Sequence, residues 1–443
     1  MPTVAFHDLA RLGAAEREAL LQRSESDLGP FLDGARPIIA AVRDEGDAAL
    51  ARFARDFDKA PVAADALQAT PADFAAAARQ VAPEVVEAID YAIDGIRRFH
   101  EAQKPEEMWL KEIRPGAFAG DRFLPIPSVA CYVPRGKGAF PSVVMMTAIP
   151  AVVAGVPRIA IVTPPGPDGG VDAATLLVAQ RLGIAEVYKC GGAQAVAAVA
   201  YGTATVPRLA KIVGPGSPWV AAAKRLLADR IDTGTPAGPS ELIVLADATA
   251  NGRVAALDLL VESEHGPDSS VFLVTPSRAV AEAAAAAIPG FWAEMGEQRA
   301  GFSAAVLGGP RGGIVLAPDL EAAVAFVNDY APEHLEILSD DPFALLGRIT
   351  NAGEILLGDH TPVTLGNFVL GPNAVLPTGG AAKTCSPLSV FDFMKRSSVG
   401  YVTAGAYPGL ALQARRLATY EGFDGHANAV SPLRERARAG GAA

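Results

Sequence analysis

Short apolar runs alternate with helix-like segments along most of this chain, and the alternation starts twice. The first series places strands at residues 128–133, 158–163, 186–190 and 211–213, with helices after Pro141 and at 171–182, 193–201 and 218–229. The second places strands at 241–245, 270–274, 334–338 and 354–357, with helices at 252–262 and 320–328. Strands separated by helices cannot close as tight hairpins. The crossovers make them parallel and lay helices on both faces of the sheet. The expectation is therefore an α/β protein with two consecutive parallel-sheet units. Ahead of them, residues 38–59 read as one amphipathic helix, with Ile39, Val42, Ala49, Leu50, Phe53 and Phe57 near helical spacing, and 71–103 read as a second. Residues 105–125 show no regular pattern. After about residue 384 the chain reads as helices ending in an Arg-rich tail, 434–438, most simply a solvated helix end.

With 443 residues the chain suits two to four domains at roughly 150 residues each and can bury a large core without staples. A net charge of −11 argues against a nucleic-acid or anionic-membrane partner, whose footprint is a basic excess. Three cysteines are too few for a disulfide framework and point to a reducing, cytoplasmic setting. Cys131 and Cys190 lie in apolar strands and read as core, and Cys385 lacks an activating neighbourhood for a nucleophile. The N-terminus has no basic region and apolar run of a signal peptide. The uncharged stretch 138–157 contains Pro141, Pro150 and Pro157 and reads as a buried helix entering a strand rather than a membrane span.

No standard nucleotide fingerprint is present. Two glycine turns stand in its place, Gly191-Gly192-Ala193-Gln194 and Gly214-Pro215-Gly216-Ser217-Pro218. Each follows a strand and opens a helix, where backbone N–H groups and the helix dipole can hold a pyrophosphate. An ordinary strand-to-helix turn has the same appearance. Glu262 and His265 are i and i+3 at a helix end, which suits two ligands of one metal, an acid–base pair, or a solvated polar helix end. Glu333 and His334 are adjacent before an apolar strand. An acid beside a histidine suits a base and a water activator, but neighbours on an extended segment point to opposite sides, and a polar loop is the plainer alternative. Glu421 and His426, five apart among glycines, either reach one site or form a polar turn.

Taken together, these segments resemble the histidinol dehydrogenase family along nearly the whole chain. The resemblance rests on Val42 through Leu50, Phe57-Asp58-Lys59, Tyr132-Val133-Pro134, the two glycine turns and Pro236 through Glu241. It continues through Glu264 to Ser269, Tyr330 to Leu335, Val375 to Thr378, and the segment Glu421 to His426. It implies two incomplete Rossmann-like units with parallel sheets, a helical N-terminal segment (1–25) and a C-terminal helical tail. One domain would comprise 26–131 with 239–383, the other, NAD-binding, 132–238. The tail, 384–443, would reach the partner of a homodimer. The implied activity belongs to amino-acid biosynthesis: two NAD-linked oxidations of a small primary alcohol through an aldehyde to a carboxylate, by default L-histidinol to L-histidine. By the same resemblance Glu333 activates the water of the second step and His334 is the general base. Tyr132, Gln194 and Ser217 match cofactor positions. Ser240, Glu262, His265, His334, Asn367, Glu421 and His426 match substrate positions, and Glu262, His265, Asn367 and His426 match the ligands of a zinc ion that grips the substrate.

The departures concern those ligands. The family pattern is Gln, His, Asp, His, and this chain has Glu262 for the Gln and Asn367 for the Asp. The exchange keeps the formal charge toward zinc, since the set still holds one carboxylate, one amide and two imidazoles. It moves the negative charge within the site, so a cationic substrate group meets a different field. Ser217 replaces a cofactor-contacting Asn, and Ala374 removes an imidazole that usually precedes Val-Leu-Pro-Thr; His360 is either a substitute ligand or a surface residue. Beside histidinol oxidation stand two alternatives: a paralogue oxidising another small polar alcohol, and a metal-free, weakly catalytic small-ligand binder. Retention of both Glu333 and His334 speaks against the binder.

Overall fold

The strands in chain order are β1 (Phe6–Asp8), β2 (Met108–Arg114), β3 (Ala117–Pro125), β4 (Val129–Tyr132), β5 (Ile159–Thr163), β6 (Glu186–Lys189), β7 (Lys211–Val213), β8 (Glu241–Ala246), β9 (Ser270–Thr275), β10 (Gly312–Leu316), β11 (His334–Leu338), β12 (Glu354–Leu357) and β13 (Met394–Val402). They come from a computed structural model that describes residues 3–23, 28–135 and 138–440. The chain forms two units, Met1–Lys104 with Pro125–Phe393, and Pro105–Leu124 with Met394–Ala443.

The first unit holds both parallel sheets. One has six strands in the order β1-β10-β9-β8-β11-β12, the other four in the order β6-β5-β4-β7. The predicted α/β fold is the one adopted. The central strands of both sheets are buried on both faces, which is why they read as apolar runs: β8, β9 and β11 have no exposed residue. The helix Gly252–Ser263 packs Ala255, Ala256 and Leu259 against Leu242, Val244 and Leu338. On the opposite face Phe326, Val327 and Tyr330 meet Ile243, Phe272 and Leu335. The helix Pro141–Ala154 is buried almost all round, and no helix among the described residues is long and apolar enough to cross a membrane.

Several local expectations change. The single helix expected at 38–59 is two, Gly29–Glu45 and Asp47–Asp56, broken at Gly46, whose φ of 59° lies outside the helical range. The one expected at 71–103 is also two, Pro71–Gln80 and Pro83–Gln103. Ala82, held extended by the following proline, separates them. The N-terminal segment contributes β1, which closes the edge of the six-stranded sheet beside β10.

The second unit is built on a three-stranded sheet in the order β13-β3-β2. β2 and β3 are antiparallel and joined at Gly116, φ 73°. The stretch 105–125, patternless in sequence, is thus a hairpin. Every residue of β2 is exposed, so no inside–outside alternation marks it. The tail carries β13 before its helices Tyr407–Tyr420, Asp424–Ala429 and Pro432–Gly440.

Candidate active site

Four strands of the six-stranded sheet begin with a polar residue: Glu241 on β8, Ser270 on β9, His334 on β11 and Glu354 on β12. Because the strands are parallel, these residues line one edge of the sheet. The helix Gly252–Ser263 runs back to that edge and ends there with Glu262 in its last turn. The short helix Val363–Phe368 adds Asn367.

Glu262 is 1 % exposed, so the Glu262/His265 pair is not a solvated helix end on the carboxylate side. Its Oε1 accepts a hydrogen bond from the Asn367 amide at 2.8 Å and lies 3.9 Å from His334 Nε2. Its Oε2 lies 3.2 Å from His265 Nδ1. Burial alone pushes the carboxyl up, but His265, His334 and the hydrogen bonds from Asn367 and Ser240 outweigh it and hold Glu262 below the usual carboxylate range.

His334 is buried among carboxylates. Its Nε2 is 3.9 Å from Oε1 of Glu333 as well as from Glu262, and its Nδ1 is 2.9 Å from Oε2 of Glu354. Burial lowers its pKa, and the three carboxylates more than reverse that and raise it to about 9. Glu333 and His334, expected to diverge, both turn inward because Glu333 sits in a bend ahead of β11 and not on the extended strand. Oε2 of Glu333 accepts the backbone N–H of Glu241 at 2.8 Å, while burial and the nearby charges of Glu262 and Glu241 push Glu333 well above its ordinary value. Glu241 is in turn held by Arg23 at 3.1 Å and by the N–H of Gly379 at 2.7 Å. A cavity of about 670 Å³ is bounded by Gly353, Glu354, Asn373 and Cys385.

The donors fit a zinc ion in part within this unit. Glu262, His265 and Asn367 supply a carboxylate oxygen, an imidazole and an amide, which zinc accepts. The ring Nδ1 of His265 is 3.0 Å from the carbonyl of Val261, the second contact that commonly orients a ligating histidine. The helix C-terminus beneath Glu262 favours a cation. Asn367 presents its N–H to Glu262, and ligation requires the amide to turn its oxygen toward the metal. Among the described residues no three His, Cys, Asp or Glu side chains already form a metal cluster. Glu421 and His426 belong to the other unit, at the end of the helix Tyr407–Tyr420 and within Asp424–Ala429, and both are exposed. His360 is an exposed loop residue beside Asp359.

The four-stranded sheet changes direction between β4 and β7, since β5 and β6 extend one way from β4 and β7 the other. The carboxyl ends at such a switch point form the usual crevice for a dinucleotide. Tyr132 ends β4, and its hydroxyl accepts the N–H of Gly192 at 3.0 Å, where the helix Gly192–Tyr201 begins. Gln194, in the first turn, is buried. Gly214 follows β7 with φ 113°, and a Cβ there would lie 2.2 Å from the Tyr132 carbonyl. Ser217 caps the helix Pro218–Leu226 without using its side chain for the cap. The structure therefore brings Tyr132, Gln194, Gly214 and Ser217 to the ends of neighbouring strands and helices at this switch point.

A family model described as histidinol dehydrogenase matches residues 21–434. The chain belongs to the histidinol dehydrogenase family. A protein named histidinol dehydrogenase homolog 2, from Mesorhizobium japonicum, is 67 % identical over 99 % of this chain and 100 % of its own length. A histidinol dehydrogenase from Synechocystis sp. is 47 % identical over 95 % of this chain and 97 % of its own. The crystal structure of histidinol dehydrogenase from Elizabethkingia anophelis matches with a TM-score of 0.92 at 30 % identity, covering 98 % of this chain and 99 % of that one. The chain is accordingly an NAD-dependent oxidoreductase of this family, whose reaction carries an alcohol through an aldehyde to an acid.

Sequence motifs did not reveal Glu354 or Arg23, and gave Glu241, the last residue of the matched segment Pro236 through Glu241, no role. Glu241 and Glu354 are each a single carboxylate at the start of an apolar strand, and that position, next to a histidine that opens another strand, was the available signal.

Proposed function

We propose that this enzyme oxidises a small polar primary alcohol to the carboxylate in two NAD-linked steps, with His334 as general base and Glu333 as the activator of water. The observation that carries the reading is one buried imidazole with Glu333 and Glu262 both 3.9 Å from its Nε2. In the first oxidation Nε2 of His334 takes the alcohol O–H proton, and NAD, when bound, would supply the hydride acceptor for this and the second oxidation. Glu333, whose burial makes it a stronger base than an exposed carboxylate, removes a proton from the water that adds to the aldehyde. His334 returns its proton to the aldehyde oxygen as the hydrate forms, then takes one hydrate O–H proton as the carbon is oxidised a second time, and the resulting acid releases its last proton to solvent as the carboxylate. His334 accepts the proton only as the neutral imidazole; the three surrounding carboxylates favour its charged form, and a cation held at Glu262 would shift it back toward the neutral one.

Glu262, His265 and Asn367 would hold zinc, with His426 completing four ligands and Glu421 adding a substrate contact. In a homodimer both would come from the partner's tail. Zinc would supply a grip on the substrate's donor atoms. Tyr132, Gln194 and Ser217 would hold NAD, and Ser240, hydrogen-bonded to Glu262, would border the substrate.

L-Histidinol is the substrate that family membership offers. A different polar alcohol is favoured by one specific feature, the Glu262–Asn367 hydrogen bond, which places the carboxylate where the family has an amide. The test offers the purified, zinc-loaded enzyme histidinol and a panel of amino- and hydroxy-alcohols while NADH is followed. Two NADH per histidinol support the default. Turnover of another alcohol with none of histidinol supports the paralogue, and no NADH from any alcohol overturns the reading.

A further inference from the structure

The cross-strand partner of His334 in the six-stranded sheet is Glu354. Residues directly opposite on neighbouring strands have side chains in reach of each other. Here the carboxylate meets the imidazole at 2.9 Å through Oε2 and Nδ1, with both side chains almost fully buried. The backbone fixes the register on either side, because the Glu354 N–H donates to the Glu333 carbonyl at 2.9 Å. Space for the carboxylate comes from Gly366, where a Cβ would lie 2.8 Å from Oε1 and 3.0 Å from Oε2. The other oxygen, Oε1, is buried without a hydrogen-bond partner. A carboxylate buried with half its acceptor capacity unused is costly, and the imidazole is what it gains in return.

We propose that Glu354 is a positioning residue: it fixes the His334 ring with the proton on Nδ1, so that Nε2 carries the lone pair that receives the alcohol proton. A histidine base needs its second ring nitrogen committed, because the wrong tautomer offers an N–H where a lone pair is required. The geometry satisfies that need on one side of the ring. Nδ1 faces Glu354, and Nε2 faces the space bordered by Glu262 and Glu333. The inference rests on His334 being the base, and the experiment separates the two.

Full-length, metal-loaded enzyme labelled with 15N-histidine is compared as wild type, Glu354→Ala, Glu354→Gln and His334→Asn, the last also assigning the His334 signals. The pairing predicts the Nδ1–H tautomer in wild type at pH values where His334 is neutral, and a mixture of tautomers in Glu354→Ala. It predicts that kcat with the preferred alcohol falls about 10- to 100-fold in Glu354→Ala while KM changes by less than about threefold. Glu354→Gln, whose amide oxygen still accepts from Nδ1, stays within about fivefold of wild type and covers the case in which the alanine variant does not fold. An unchanged kcat in Glu354→Ala, or an unchanged tautomer, overturns the role of Glu354 while leaving the base assignment standing. Full turnover in His334→Asn overturns the base assignment itself.

Discussion

Glu336 lies two residues beyond His334 on the same face of β11, and Asp258 lies one turn before Glu262 on the helix above it. Glu336 is fully buried, and neither of its oxygens has a hydrogen-bond partner of ordinary donor type; Oδ2 of Asp258 is in the same position. Burial and the neighbouring carboxyl push Glu336 up to about 10, and burial pushes Asp258 up to about 6. The folded protein thus keeps a proton on Glu336 that the unfolded chain releases near pH 4.5. Folding takes up one proton across that window, so this group's contribution to stability falls as pH rises, by about 1.4 kcal/mol per unit, until Glu336 ionises in the fold near pH 10. By pH 8 the loss accumulates to about 5 kcal/mol. Glu336→Gln has the same shape, donates an N–H to Asp258 and takes up no proton. At about 2.1 cal/mol/K of unfolding entropy per residue, a chain of this length shifts its melting temperature by roughly 1 °C per kcal/mol. The variant should melt about 5 °C above wild type at pH 8 and within about 1–2 °C of it at pH 5.5. Thermal unfolding followed by circular dichroism from pH 5.5 to 8.5 measures the difference. A gap that stays constant with pH, or one that closes as pH rises, refutes the claim that Glu336 is protonated in the fold.

Arg23→Ala leaves Glu241 buried without its cation and should cost about 3–5 kcal/mol, with the loss largely recovered in the double variant with Glu241→Gln; a melting-temperature cycle reads both. Gly214→Ala drives a methyl group into the Tyr132 carbonyl and should raise the KM for NAD at least about tenfold with zinc content unchanged, which NAD titration and elemental analysis check together. Glu262→Gln and Asn367→Asp should each weaken zinc binding, and the double change should restore it. Equal zinc content in all four forms would show that the two residues are not coupled ligands.

Where strands are buried on both faces, the sequence was transparent: β4 to β9, β11 and β12 stand out as apolar runs between helices. Legibility failed where that signal is absent. β2 is exposed throughout and β1 is three residues long, so neither carries a pattern; β10 is buried, but its two opening glycines leave only Ile314-Val315-Leu316 as an apolar run. The helix breaks at Gly46 and Pro83 are backbone effects that apolar spacing does not record. In the site, Glu262, His265, Glu333 and His334 were visible as short motifs because their partners lie within a few residues. Asn367 was reached only by family resemblance. Glu354 and Arg23 act through strand register and through contacts more than 200 residues away in the case of Arg23 and Glu241, which no local pattern encodes.

The pairing of β1 with β10 also sets an order of events in time. Phe6 lies beside Ile314, so β1 leaves the ribosome and waits for a partner about 300 residues later. At about 5–20 residues per second that delay is roughly 15–60 s. The four-stranded sheet needs only residues 129–213 and can be complete long before. Growth of the nascent chain therefore lets the four-stranded sheet assemble before the six-stranded one, whose edge strands β1 and β12 lie about 350 residues apart in sequence.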